Sequence, residues 1–176
     1  APPVGPLRWR PPTPPERWTG VRAATEFQPA CMQTGVSMPG EPPPRISEDC
    51  LYLNIWTPRE GGRGAPVIVW IHGGGYSNGA TSLPLYWGDR LARRGVVVVS
   101  LAYRLGPLGY LAHPDLSREG GGSSGDYGLM DQIAALTWVR NNVAAFGGDP
   151  GKVTIAGQSA GSMSVLAMQA SPLARG

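Results

Sequence analysis

Four consecutive valines, Val96 to Val99, followed by Ser100 and Leu101, constrain this chain more than any other feature. Successive side chains of a strand point to opposite faces, so a strand that is apolar at consecutive positions needs cover on both. A second apolar run, Val67 to Ile71, precedes it, and a third, Val153 to Ala156, follows. None approaches the ~18 residues of a membrane span, so these are buried strands and no membrane span is expected. Leu51, Leu53 and Ile55 alternate with Tyr52, Asn54 and Trp56 in a further strand, stopped by Thr57-Pro58 and the turn-rich Gly61-Gly62-Arg63-Gly64.

Between the strands lie helical patterns. Leu83 to Arg94 is a candidate helix, weakened by Pro84 and Gly88. Residues 104 to 128, rich in Gly and Pro, read as a long loop. Leu129, Ile133, Leu136, Val139, Val143 and Phe146 then recur at spacings of three and four, the clearest helix in the sequence, with Gly147-Gly148 and Pro150 as its stop. A last helix, of small and apolar residues, runs to about Ala170. The alternation of strand and helix predicts an α/β domain with a mainly parallel sheet covered on both faces, and 176 residues are enough for one such core. Residues 1–50 differ: they hold 12 of the 19 prolines, which excludes long helices and predicts an extended segment over the surface, with Trp9, Trp18 and Phe27 needing burial.

Charge excludes one class of partner. The 15 cations, 14 of them Arg, are scattered from Arg8 to Arg175 against 12 acids, with no dense basic run to support nucleic-acid binding. Two cysteines, Cys31 and Cys50, flank 18 residues. They either form a disulfide, which would favour an extracellular or periplasmic compartment, or remain two thiols in a cytoplasmic protein. The chain opens Ala1-Pro2-Pro3 without a charged-then-apolar leader, so any secretory signal is absent, removed, or lost with upstream sequence.

The chemistry centres on Gly157-Gln158-Ser159-Ala160-Gly161, a G-x-S-x-G turn that lifts a serine hydroxyl above a sheet edge. With 26 Gly and 12 Ser in 176 residues the bare pattern arises by chance roughly 0.25 times per chain, so context must carry it. Here an apolar strand enters the turn and a helix leaves it. Ser159 is therefore the candidate nucleophile. An attacked carbonyl needs its developing charge stabilised by backbone N–H groups, and His72-Gly73-Gly74-Gly75 directly follows the strand at 67–71. Gly74 and Gly75, with Ala160, are the candidate oxyanion donors, and His72 reads as loop support rather than a base. The triad order of this turn is Ser, then acid, then His, yet no Asp, Glu or His follows Ser159, and both His72 and His113 precede it. No metal or cofactor is called for.

Three segments resemble one family, the type-B carboxylesterases and cholinesterases. They are Glu48-Asp49-Cys50-Leu51-Tyr52-Leu53-Asn54-Ile55-Trp56-Thr57-Pro58, the glycine loop at 72–75, and Phe146-Gly147-Gly148-Asp149-Pro150 running into the serine turn. Residues 2–9, 103–106 and 128–132 are similar to family segments in the same order. The resemblance implies an α/β-hydrolase fold, with residues 1–176 as the N-terminal part of a single domain and the triad acid and His in sequence absent here. It also implies that Cys31 and Cys50 are bridged. Glu48, Asp49, Arg104 and Asp131 are of types that could act as acid or base groups, and they read instead as structural ion-pair and hydrogen-bond partners.

The implied activity is hydrolysis of small carboxylic esters through an acyl-enzyme, with negligible turnover by these residues alone, since loss of the His can cost on the order of 10⁶ in kcat. Gln158 stands where cholinesterases carry an acid, and no aromatic residue lies between Cys31 and Cys50, which argues against choline esters. Asp126 stands where the family usually has Asn. Three rivals share parts of the pattern. A non-catalytic adhesion-type protein of this fold would be expected to lack the serine. A hormone-sensitive-lipase-like enzyme would lack the segment at 48–58. An inactive truncated product would expose apolar edges. Acyl and alcohol preference and oligomeric state are not encoded in any motif here.

Overall fold

A computed structural model describes residues 1–34, 43–59 and 63–174. The turn expected at Gly61-Gly62 lies outside the described residues. In chain order the elements are β1 (Ala30–Cys31), β2 (Ile46–Ser47), β3 (Leu53–Trp56), β4 (Ala65–Ile71), α1 (Asp89–Ala92), β5 (Val97–Leu101), α2 (Gly106–Tyr110), α3 (Pro114–Glu119), α4 (Tyr127–Asn142), β6 (Gly148–Gly157) and α5 (Ala160–Ala170).

The main sheet has the order β3-β5-β4-β6. β4 pairs in parallel with both β5 and β6, while β3 runs antiparallel along β5. Parallel neighbours require crossovers, and the helices between them supply these. The valine run is buried along its whole length from Val97 to Leu101. Val67, Val69 and Ile71 of β4 join Val97, Val99 and Leu101 of β5 in one core with Val139, Val143 and Met168 from the helices. On the opposite face Ile68, Trp70 and Val98 line an open cavity of about 160 Å³ with Leu85, Tyr86 and Leu91.

Three expectations need correction, while the long helix expected to end at Gly147 is found with its ends adjusted. The helix expected over 83–94 is a single 3-10 turn at Pro84–Tyr86 followed by the one-turn α1. Pro84 sits at the start of that turn, and Gly88 presses its backbone on the sheet, where a Cβ would lie 2.6 Å from Val98 Cβ. The loop expected over 104–128 holds α2 and α3, each with proline in its first turn, where the missing N–H costs nothing. The long helix starts at Tyr127 and its final turn, Val143–Phe146, tightens to 3-10 before Gly147 caps it at φ 82°. Trp18 is 58% exposed, because within these residues its ring meets the Arg22 guanidinium and no core element. Trp9 and Phe27 do find cover: Trp9 Nε1 donates to Pro107 O, and Phe27 packs against Trp56 and Trp87.

Two connections fasten the N-terminal segment to this frame. Cys31 and Cys50 form a disulfide with a Cα–Cα distance of 4.9 Å, and both are buried. Arg8 meets Glu48 through two hydrogen bonds of 2.6 and 2.7 Å. Deeper in the fold, Arg104, three residues beyond the end of β5, forms a buried pair with Asp131 of α4, whose Oδ2 also accepts the Arg104 backbone N–H. Glu48, Arg104 and Asp131 are thus occupied as structural partners.

Candidate active site

The parallel pairing of β4 and β6 brings their C-terminal ends side by side, Ile71 opposite Gly157. The glycine loop leaves one and the serine turn leaves the other. Both are forced into close contact by the absence of side chains. A Cβ on Gly161 would lie 2.1 Å from Ile71 O, one on Gly157 2.5 Å from the Gly161 carbonyl carbon, and one on Gly73 2.6 Å from Gln158 O. Ser159 is the N-cap of α5 and holds φ 54° and ψ −121°, a region rarely occupied by a residue with a side chain. Such a conformation costs about 1–3 kcal/mol and persists where surrounding contacts impose it. Gly161 N–H donates to Gln158 O at 2.9 Å, and Met163 N–H and Ser162 Oγ donate to Ser159 O. The Ser159 side chain is left exposed at the apex.

The glycine loop is folded back on itself. Gly74 O accepts from the backbone N–H groups of Ser77 and Asn78 and from Ser77 Oγ. Gly74 has φ 114° and Gly75 φ 59°, which turns their peptide units away from extended geometry. Among the described residues, no protein acceptor is bonded to the backbone N–H groups of Gly74, Gly75 or Ala160. The Ala160 N–H belongs to the first turn of α5, where the helix itself offers no partner and the dipole favours negative charge.

His72 anchors this loop from below. It is 2% exposed, its Nδ1 lies 2.8 Å from Gly73 O, and its ring stacks on Tyr103 at 4.6 Å. Burial holds its pKa below the ordinary imidazole value, so the ring is neutral and Nδ1–H donates to Gly73 O. Burial likewise pushes the Tyr103 phenol up, keeping it a donor to His72 O at 2.8 Å. His113 lies elsewhere, exposed at the N-terminus of α3, where Nδ1 accepts from Asp115 N–H.

The structure adds loop residues that the sequence does not single out. Tyr76 adopts φ 60°, accepts from Gly106 N–H at 2.7 Å, packs on Tyr110 at 4.9 Å, and meets Ser164 of α5 through its hydroxyl at 3.4 Å. Gly79 has φ 125° and rests on the His72 ring. The Asn78-Gly79 dipeptide is a turn signal that could have located it.

With this geometry established, the chain belongs to the carboxylesterase family, whose model matches residues 1–176. It is 51% identical over 175 residues to a fumonisin B1 esterase of Sphingopyxis macrogoltabida, covering 98% of this chain and 32% of that protein. It is 49% identical over 178 residues to a para-nitrobenzyl esterase of Bacillus subtilis (strain 168), covering 99% of this chain and 36% of the relative. A solved PNB esterase superposes with a TM-score of 0.90 at 48% identity, over 100% of this chain and 36% of that one. The fold is therefore the N-terminal portion of an α/β-hydrolase. The chain spans about a third of the length of the curated relatives it matches.

Proposed function

We propose that the protein hydrolyses small, neutral carboxylic esters through an acyl-enzyme formed on Ser159. The observation that carries this reading is the backbone of Ser159, held at φ 54° and ψ −121° between β6 and α5 with its hydroxyl exposed beside the glycine loop. In the proposed cycle Ser159 Oγ attacks the ester carbonyl while a His outside residues 1–176 takes its proton. The N–H groups of Gly74, Gly75 and Ala160 hold the oxyanion, the alcohol leaves with the proton, and water repeats the sequence to release the acid. Residues 1–176 are then one part of a single catalytic domain, and they supply the nucleophile and the oxyanion donors. No step requires a metal or cofactor.

The esters for which two relatives are named, fumonisin B1 and para-nitrobenzyl esters, set the starting point for a substrate search. Choline esters are disfavoured, since Gln158 beside the nucleophile is neutral and the Cys31–Cys50 segment offers no aromatic ring for a quaternary ammonium. The disulfide favours an oxidising compartment. The test is Ser159→Ala in the full-length protein, assayed with p-nitrophenyl acetate. Loss of roughly 10⁴–10⁶ in kcat supports the reading, and activity within about tenfold of wild type refutes it.

A further inference from the structure

Gln33 lies two residues beyond Cys31, and its amide engages the Gly79 backbone on both sides. Nε2 donates to Gly79 O at 2.8 Å, and Oε1 accepts from Gly79 N–H at 2.9 Å. Nε2 also donates to Cys31 O at 3.0 Å. Cys31 is itself fixed, by its bridge to Cys50 and by the pairing of β1 with β2. Gly79 occupies the far end of the glycine loop, where a Cβ would lie 2.3 Å from His72 Nδ1 and 2.6 Å from Gly73 O. Its backbone therefore presses directly on the contact that orients the Gly73 peptide. At φ 125° glycine has many alternative conformations and no side chain to anchor it, so an external partner must select this one.

We infer that Gln33 is a positioning residue for the oxyanion loop. It couples the disulfide-closed segment to the peptide units of Gly74 and Gly75, and touches no reacting atom. An oxyanion hole accelerates a reaction because its donors are already oriented when charge develops. Freeing Gly79 lets the 73–79 loop relax and misorients the donors without altering Ser159. The inference rests on the assignment of Ser159 and its oxyanion donors made above.

The experiment compares wild type, Ser159→Ala, Gln33→Met and Gln33→Glu in the full-length protein with p-nitrophenyl acetate. Met fills the Gln33 volume with no donor. For a folded Gln33→Met, kcat is expected to fall about tenfold or more with KM within about twofold. Affinity for an aryl trifluoromethyl ketone, whose hemiketal oxygen occupies the hole, should fall by the same factor. A kcat within about twofold of wild type overturns the inference. Should Gln33→Met fail to fold, Gln33→Glu decides. A protonated Glu can donate and accept as the amide does, whereas a carboxylate only accepts. At about pH 8 its carboxylate can keep the bond from Gly79 N–H but cannot donate to Gly79 O or Cys31 O, so kcat should fall about tenfold or more, and a kcat within about twofold of wild type overturns the inference. Ser159→Ala at wild-type activity removes the assignment beneath it, whereas an inactive Ser159→Ala beside a fully active Gln33→Met removes the role of Gln33 alone.

Discussion

Ser159 keeps its unusual backbone because its neighbours leave it no room to relax. Gly161 is the tightest of these constraints, with Ile71 O where a Cβ would go at 2.1 Å. Gly161→Ala must therefore push α5 away from the end of β4. We expect a drop in stability of about 1–3 kcal/mol, read by urea titration, together with loss of ester hydrolysis in the full-length protein. His72 carries a pH prediction. Its folded pKa lies below the ordinary value of about 6.5, so as pH falls through that value the unfolded chain gains a proton that the folded chain refuses. Stability should decline from about pH 6.5 down to the folded pKa and level off beneath it. Urea midpoints across this range test the slope, which His72→Gln should flatten. The sharp turn at Ser159 and the glycine loop at 72–75, brought together at the ends of β6 and β4, were legible because glycine at those positions and a small-residue turn between strand and helix admit few local structures. Gln33 was not, because its partners are backbone groups of Gly79, 46 residues away, which no side-chain pattern encodes.

At the scale of elements, α4 is locked to the segment just beyond β5 by the Arg104–Asp131 pair, with side chains only 3% and 1% exposed. The pair sits directly below α2, whose Gly109 backs onto Arg104 O. Asp131→Ala would strand a guanidinium in the interior, and the expected cost is about 3–5 kcal/mol, measurable as a lowered urea midpoint. β5 and α4 were readable from the sequence because a solid apolar run and a three-four spacing each admit few structures. α2 and α3 were not, since proline and glycine that break a long helix are compatible with a one-turn helix that begins on the proline. The failed helix at 83–94 has the complementary cause. Its apolar spacing reflects Leu85 and Leu91 reaching the outer face of the sheet, while Gly88 lies flat against Val98.

At the scale of the whole molecule, the described residues leave apolar surface open on α5 and on the outer face of the sheet. Met163 and Leu166 of α5 are 60% and 61% exposed, and the sheet face around Trp70 is open to the cavity beside Leu85. This agrees with a chain that spans about a third of its curated relatives. The serine turn, the glycine loop and the disulfide-closed segment form one connected structure among the described residues. The most direct test is to treat the full-length protein with diethyl p-nitrophenyl phosphate and map the adduct by peptide mass spectrometry. Stoichiometric diethylphosphorylation of Ser159 and matching loss of ester hydrolysis are expected. Inactivation with the adduct on any other residue would contradict the assignment of Ser159 as the nucleophile.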